Sequence, residues 1–176
     1  MYRRAETFPR TMRSSETDLT NGVAFFTFLR PMVDLKSIQI YVKGGTAAKS
    51  GATLIREALY RLEYLPASSA IGIKKIAETA STTSLFATAE ACVPVAYSTA
   101  GGYPANYILR AGVIYAVGII AIGQTTAAKV RGIIGVADGL GPDIAWQLSG
   151  QTDLPAETTM AALTESNFAI WFGVSR

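Results

Sequence analysis

The chain has no histidine. That absence removes the Ser–His–Asp triad, the Cys–His pair and the imidazole zinc sites. Cys92 is its one cysteine, so no disulfide can form within the chain and no thiolate metal site can be built. The apolar flanks of Cys92, Ala91 and Val93, predict a buried, inert thiol in a protein made in a reducing cytosol. Charge is scarce, at 16% of residues and a net +3. No Lys/Arg run is longer than Arg3-Arg4 or Lys74-Lys75, which argues against nucleic acid as a partner, because phosphate binding needs clustered cations. No apolar run approaches the roughly 20 residues a helix needs to cross a bilayer. Met1-Tyr2-Arg3-Arg4 leads into polar residues, so neither membrane insertion nor an export signal is expected. No GxxxxGK[ST] loop is present, and neither Gly44-Gly45 nor Gly101-Gly102 opens a helix, so no nucleotide cofactor is expected.

What is present is apolar and frequently punctuated. The 176 residues are 49% apolar, enough for one domain with a sizeable core. Gly/Pro/Ser/Thr clusters separate short β-branched runs, the pattern of a sandwich or barrel. The organising stretch is Arg110–Gly123. Read with period two, Val113, Tyr115, Val117, Ile119 and Ala121 fall on one face, and Ile114, Ala116, Gly118, Ile120 and Ile122 on the other. Both faces are apolar, so this strand is central and covered on both sides. Around it we read strands at 23–30, 37–43, 53–63, 71–78 (nearer an edge, given its lysines), 92–98 (an edge or bulge, given Pro94), 128–135, 144–148 and 167–175. The stretch 53–63 also carries a helical spacing, Leu54, Glu57, Ala58 and Arg61; Ile55, Leu59 and Tyr60 favour strand. Leu85-Phe86, among small polar residues, reads as a core plug. The expected fold is all-β: a jelly-roll-like antiparallel β-sandwich of about eight or nine strands, with an extended N-terminal arm.

That arm is residues 1–21, ahead of one domain at 22–176. It is polar and aperiodic, and Tyr2, Arg3, Arg4, Phe8, Arg10, Met12 and Arg13 are its groups for docking onto a partner chain. The alternative is packing onto its own domain. On the docking reading, deleting the arm leaves the fold intact.

Candidates for chemistry are few. Asp138 and Asp143 flank the loop 137–143 and are the only pair worth weighing as glycosidase carboxylates or oxygen ligands for calcium; Asp-Gly and Pro-Asp are also ordinary turn chemistry. No enzyme activity is expected, and no metal or other cofactor. Tyr103 and Tyr107 are candidate glycan contacts, since an aromatic ring gives a sugar an apolar face with hydrogen bonding nearby. Trp146 and Trp171 read as core.

Four runs carry a family resemblance: Gly51–Tyr60 (G-A-T-L-x-R-x-x-L-Y), Thr82–Phe86 (T-x-x-L-F), Arg110–Ile119 (R-A-G-x-x-Y-A-V-G-I) and Ser149–Ala156 (S-G-Q-x-x-L-P-A). Over about residues 36–176 the chain resembles the β-sandwich module of minor tail proteins and tail-fibre heads in long-tailed phages of Gram-positive, especially actinobacterial, hosts. The resemblance implies a virion structural protein, commonly a homotrimer at the tail tip or on fibres, with other virion proteins as partners and a host-surface glycan as an inferred ligand. A capsid decoration protein or head fibre would share these features. The residues independently suggest assembly: a two-layer sandwich covers one face of each sheet, so a local loop or a neighbouring subunit must cover the other face of the central strand. A short chain has little to spare, and a substantial apolar interface is expected.

Overall fold

The computed structural model describes residues 4–134 and 144–175, with the side chains of Arg4 and Arg10 outside the description. The described residues form sixteen mostly short strands and no α-helix. They are β1 (Arg4–Glu6), β2 (Ser15–Asp18), β3 (Ala24–Leu29), β4 (Leu35–Ser37), β5 (Gln39–Lys43), β6 (Leu54–Leu65), β7 (Ala70–Glu78) and β8 (Cys92–Ala96), then β9 (Tyr107–Leu109), β10 (Tyr115–Ile122), β11 (Lys129–Ile134), β12 (Ala145–Leu148), β13 (Glu157–Thr159), β14 (Thr164–Glu165), β15 (Phe168–Ile170) and β16 (Phe172–Ser175). All pair antiparallel. The fold is all-β, as expected, with more strands than the expected eight or nine: the last one breaks at Trp171, and short pieces lie in stretches read as irregular.

The largest sheet runs β13-β7-β6-β10-β3-β12-β14 and puts β10 at its centre. Three smaller sheets, β1-β16-β5-β8, β15-β11-β2 and β4-β9, form the facing layer. The principal core lies between the layers. Tyr115, Val117, Ile119 and Ala121 of β10 meet Ile40, Val42, Val130, Ile170, Phe172 and Val174 there. Leu85 and Phe86 plug the same core, as their setting predicts. Pro94 sits in β8, an edge strand, where its missing N–H costs no ladder bond.

The other face of β10 is covered by the chain itself. After β12, residues 149–156 cross the large sheet to reach β7, where Glu157–Thr159 pair with Gly72–Lys74. Only residues 160–163 then separate β13 from β14, which lie at opposite edges of the sheet. That connection reaches at most about 18 Å, whereas seven flat strands would be about 29 Å wide. The sheet therefore curls into a half-barrel, concave around this strap. Ala116 and Ile120 of β10 join Phe26, Tyr60, Ile73, Leu154 and Leu163 in a second core inside the curl. Side-chain contacts fasten the strap: Arg56 pairs with Asp153, Lys75 Nζ donates to the Leu154 carbonyl at 2.9 Å, and the Tyr60 hydroxyl donates to the Pro155 carbonyl at 2.9 Å; the Gln151 N–H also donates to the Gly22 carbonyl at 2.9 Å and the Lys75 N–H to the Ala156 carbonyl at 2.8 Å. A local segment thus covers the second face of the central strand, the first of the two covers the sequence allowed.

The reading of the N-terminal arm is corrected. Arg4–Glu6 pair with Gly173–Ser175, and Ser15–Asp18 pair with Lys129–Gly132. Leu19 is fully buried in the principal core. Residues 4–21 belong to the domain, and no boundary falls at 21/22. The reason is edge chemistry: β16 and β11 would otherwise each expose a row of unpaired backbone groups, and the arm supplies the missing ladders.

Candidate functional site

Strand parity builds the first site. On β6, β3 and β12, and just ahead of β10, the residues facing the half-barrel's concave side include Leu62, Phe28, Trp146 and Ile114. A bulge at Ile76, where Leu59 opposes Ala77 and Tyr60 opposes Lys75, brings Ile71 and Ile73 of β7 to that side too. The strap fills the middle of the concavity and leaves one end open. There Phe28, Leu62, Ile71, Ile114, Trp146 and Met160 line a groove of about 570 Å³. Ile71 is 53% exposed and Ile114 40%. Arg30 is the single charged residue of the lining, and its Nε already donates to the Gly112 carbonyl at 2.8 Å. A groove this apolar is suited to excluding water against another apolar surface. The sequence reading missed it. The available signal was parity: Phe26/Phe28 and Leu62 continue, on neighbouring strands, the second apolar face that β10 shows.

The second site is a cleft of about 430 Å³ on the opposite face of the same strands, lined among others by Arg61, Asn106, Tyr107, Arg110 and Tyr115. Tyr115 and Arg61 are cross-strand partners, which places them side by side. The Tyr107 ring meets Tyr115 edge to face at 6.3 Å. The Arg110 N–H donates to the Tyr115 hydroxyl at 2.9 Å. Asp34 receives the Ala111 N–H at 2.8 Å and Arg110 Nη1 at 2.7 Å; those bonds, the backbone one foremost, hold its carboxyl below the usual range. Arg61 pairs with Glu63. Neither carboxylate lines the cleft, so it presents guanidinium and amide donors beside aromatic rings. That chemistry suits a sugar.

The two glycan candidates are not brought together. Tyr107 is half-buried in this cleft. Tyr103 is also half-buried but lies in the loop before β9, with Lys75 Nζ 5.3 Å from its ring centroid. Lys75 in turn forms a buried ion pair with Glu78 at 2.9 Å. Of the arm residues, Phe8 is buried against Trp171 and the Arg13 guanidinium lies over the Trp171 ring at 4.9 Å. Met12 is exposed. Phe8 and Arg13 thus engage their own domain, the alternative the sequence reading set beside docking onto a partner. Tyr2, Arg3, Asp138 and Asp143 lie outside the described residues, as do the side chains of Arg4 and Arg10. Trp171 is core, as read, and Trp146 is half-buried at the groove. Cys92 is exposed, not buried: it opens the edge strand β8, whose residues 92–94 all face solvent.

Glu57 is the other residue the sequence did not flag. It lies on the sandwich face of β6 between Ile55 and Leu59, fully buried, and neither carboxyl oxygen has a hydrogen-bond partner. Burial pushes its pKa well above the ordinary carboxylate value. Among the described residues no group of three His, Cys, Asp or Glu side chains could hold a metal ion, and no helix is long and apolar enough to cross a membrane. A scan against protein-family models finds no match, and a search of curated proteins finds none either.

Proposed function

We propose that this chain is a non-enzymatic structural protein of a tailed-phage particle, a minor tail, tail-tip or fibre component that works as a self-associated building block. The open apolar groove carries this reading. The strap shows that the chain covers concave surface wherever it can, and the groove is what it leaves bare. A groove of this kind, apolar but for Arg30 in its lining, gains from burial against a like surface. The segment resemblance to phage tail modules supplies the setting, and a trimer is the favoured form. The described part of the arm is already spent on its own sheets, so assembly falls to the groove. Sedimentation of the full chain tests the reading. A concentration-dependent oligomer at micromolar protein is expected, and Ile71→Glu is expected to shift it to monomer. A monodisperse wild-type monomer would overturn the proposal.

The Tyr107 cleft favours a second reading, recognition of a host-surface glycan. Tyr107→Ala, at the rim of the cleft, would then abolish binding of the chain to host cells and leave its oligomeric state unchanged. Undiminished cell binding by this variant would remove the cleft from that role.

A further inference from the structure

The groove has a counterpart on the same molecule. Between β3 and β4 the chain turns at Arg30-Pro31-Met32-Val33-Asp34. Met32 is 89% exposed, more than any other large apolar residue described, and its neighbour Val33 is 52% exposed. Such side chains are costly to leave in water side by side. The turn is held out by fixed contacts rather than by a packed core. Asp34 is tied to Arg110 and to the Ala111 N–H, and the Gly112 N–H donates to the Pro31 carbonyl at 2.9 Å. The turn therefore presents its two apolar residues as a knob.

We infer that the occupant of the groove is the Met32–Val33 knob of a second copy of this chain, so that each subunit gives one knob and receives one. The inference rests on the assembly reading above and names its contact. Four observations carry it. Knob and groove are both apolar. Their chemistry is complementary in shape class, a projecting turn and a concavity of about 570 Å³. A methionine side chain, unbranched and polarisable, adapts to an irregular groove lined by Trp146, Phe28 and isoleucines. The groove's lining contains no carboxylate, and its one cation, Arg30, is turned to the Gly112 carbonyl and stays exposed to solvent at the edge of the lining, so the contact buries apolar surface beside a hydrated charge. Knob and groove adjoin at Arg30, and one knob given and one received per subunit is met by a reciprocal two-fold pair as well as by a head-to-tail ring.

Two experiments on the full chain separate this contact from the assembly reading. First, Met32→Glu, a change at an exposed turn that leaves the fold's contacts alone, is expected to weaken association about tenfold or more in sedimentation, as central apolar contacts do. Second, with Cys92→Ser in both, a Met32→Cys chain is mixed with an Ile114→Cys chain and oxidised. Each chain alone carries one thiol, so a disulfide joining the two variants reports knob in groove between subunits. Formation of that mixed dimer, above the level given by a control pair of Met32→Cys with a cysteine at exposed Thr152, supports the inference. Unchanged association of Met32→Glu together with no mixed product above the control overturns it while the assembly reading stands. A monomeric wild type overturns both.

Discussion

Phe26 and Tyr60, on the two strands that flank β10, meet edge to face with ring centroids 5.3 Å apart and planes at 84°. They meet over Gly118. A Cβ built on Gly118 would lie 2.9 Å from Phe26 and 3.0 Å from Tyr60. This explains a glycine at the middle of an otherwise larger-residue, apolar central strand: the two rings occupy the space a side chain would need. Gly118→Val is therefore expected to destabilise the fold by about 1–3 kcal/mol, the usual cost of forcing atoms into a packed core. Denaturant unfolding reads the loss as a lower midpoint.

The buried carboxyl of Glu57 sets a pH dependence. Its folded-state pKa is raised by desolvation, with Tyr97 the titratable neighbour that it affects electrostatically. Below the ordinary value of 4.5 the group is protonated in both states and costs nothing in charge. As pH rises above that value, the unfolded chain releases the proton and the folded chain keeps it, so stability falls until the folded pKa is passed. Glu57→Gln, neutral and of similar shape, removes this slope. Its stability relative to wild type is expected to increase from pH 4.5 toward neutral, as measured by urea midpoints across that range. A difference that is flat with pH would show that the carboxyl is not desolvated.

The strap over the concave face is held by few contacts, so each should be measurable. Leu154 is buried in the second core, and Leu154→Ala is expected to cost about 2–5 kcal/mol. Tyr60→Phe removes the hydroxyl that donates to Pro155 and leaves the ring over Gly118, so about 1 kcal/mol is expected. The two differ in a second readout. Leu154→Ala should expose the concave face and increase binding of a hydrophobic dye, whereas Tyr60→Phe should not.

These elements differ in how far the sequence revealed them. The alternation across Tyr115–Ile122 is local, and both cores fall on the faces it assigns. The strand at 54–65 was legible against its helical spacing because Ile55, Leu59 and Tyr60 suit a sheet. The bulge at Ile76 was not: one extra residue reverses parity, so Lys75, read as an edge lysine, turns into the half-barrel and pairs with Glu78. Long-range pairing was equally hidden. The ladder between residues 15–18 and 129–132 joins positions more than a hundred residues apart, and nothing in the polar arm marks it. The aromatic cleft was half-legible. Tyr107 was singled out, but its neighbours Arg61 and Arg110 come from β6 and from the turn before β10, and only cross-strand register places them together.

The same register makes the arm a structural element, and its removal is the sharpest test of that. Gln124 is buried. Its Nε2 donates to the Leu19 carbonyl at 2.7 Å, its backbone N–H donates to Asn21 Oδ1 at 2.9 Å, and its carbonyl receives Asn21 Nδ2 at 2.9 Å. Its side-chain oxygen accepts the Ala128 N–H at 2.8 Å. Deleting residues 1–21 would take away the Leu19 side chain from the principal core, leave the Gln124 amide without its acceptor, and expose the edges of β11 and β16. Leu19→Ala alone is expected to cost about 2–5 kcal/mol, and an unsatisfied buried amide adds about 1–3 kcal/mol. Against a domain stability of about 5–15 kcal/mol, the truncated chain is expected to be largely unfolded or aggregated, and circular dichroism melts of the truncated and Leu19→Ala proteins measure it. A truncated chain that melts at the wild-type temperature would return the arm to the role of a free docking segment.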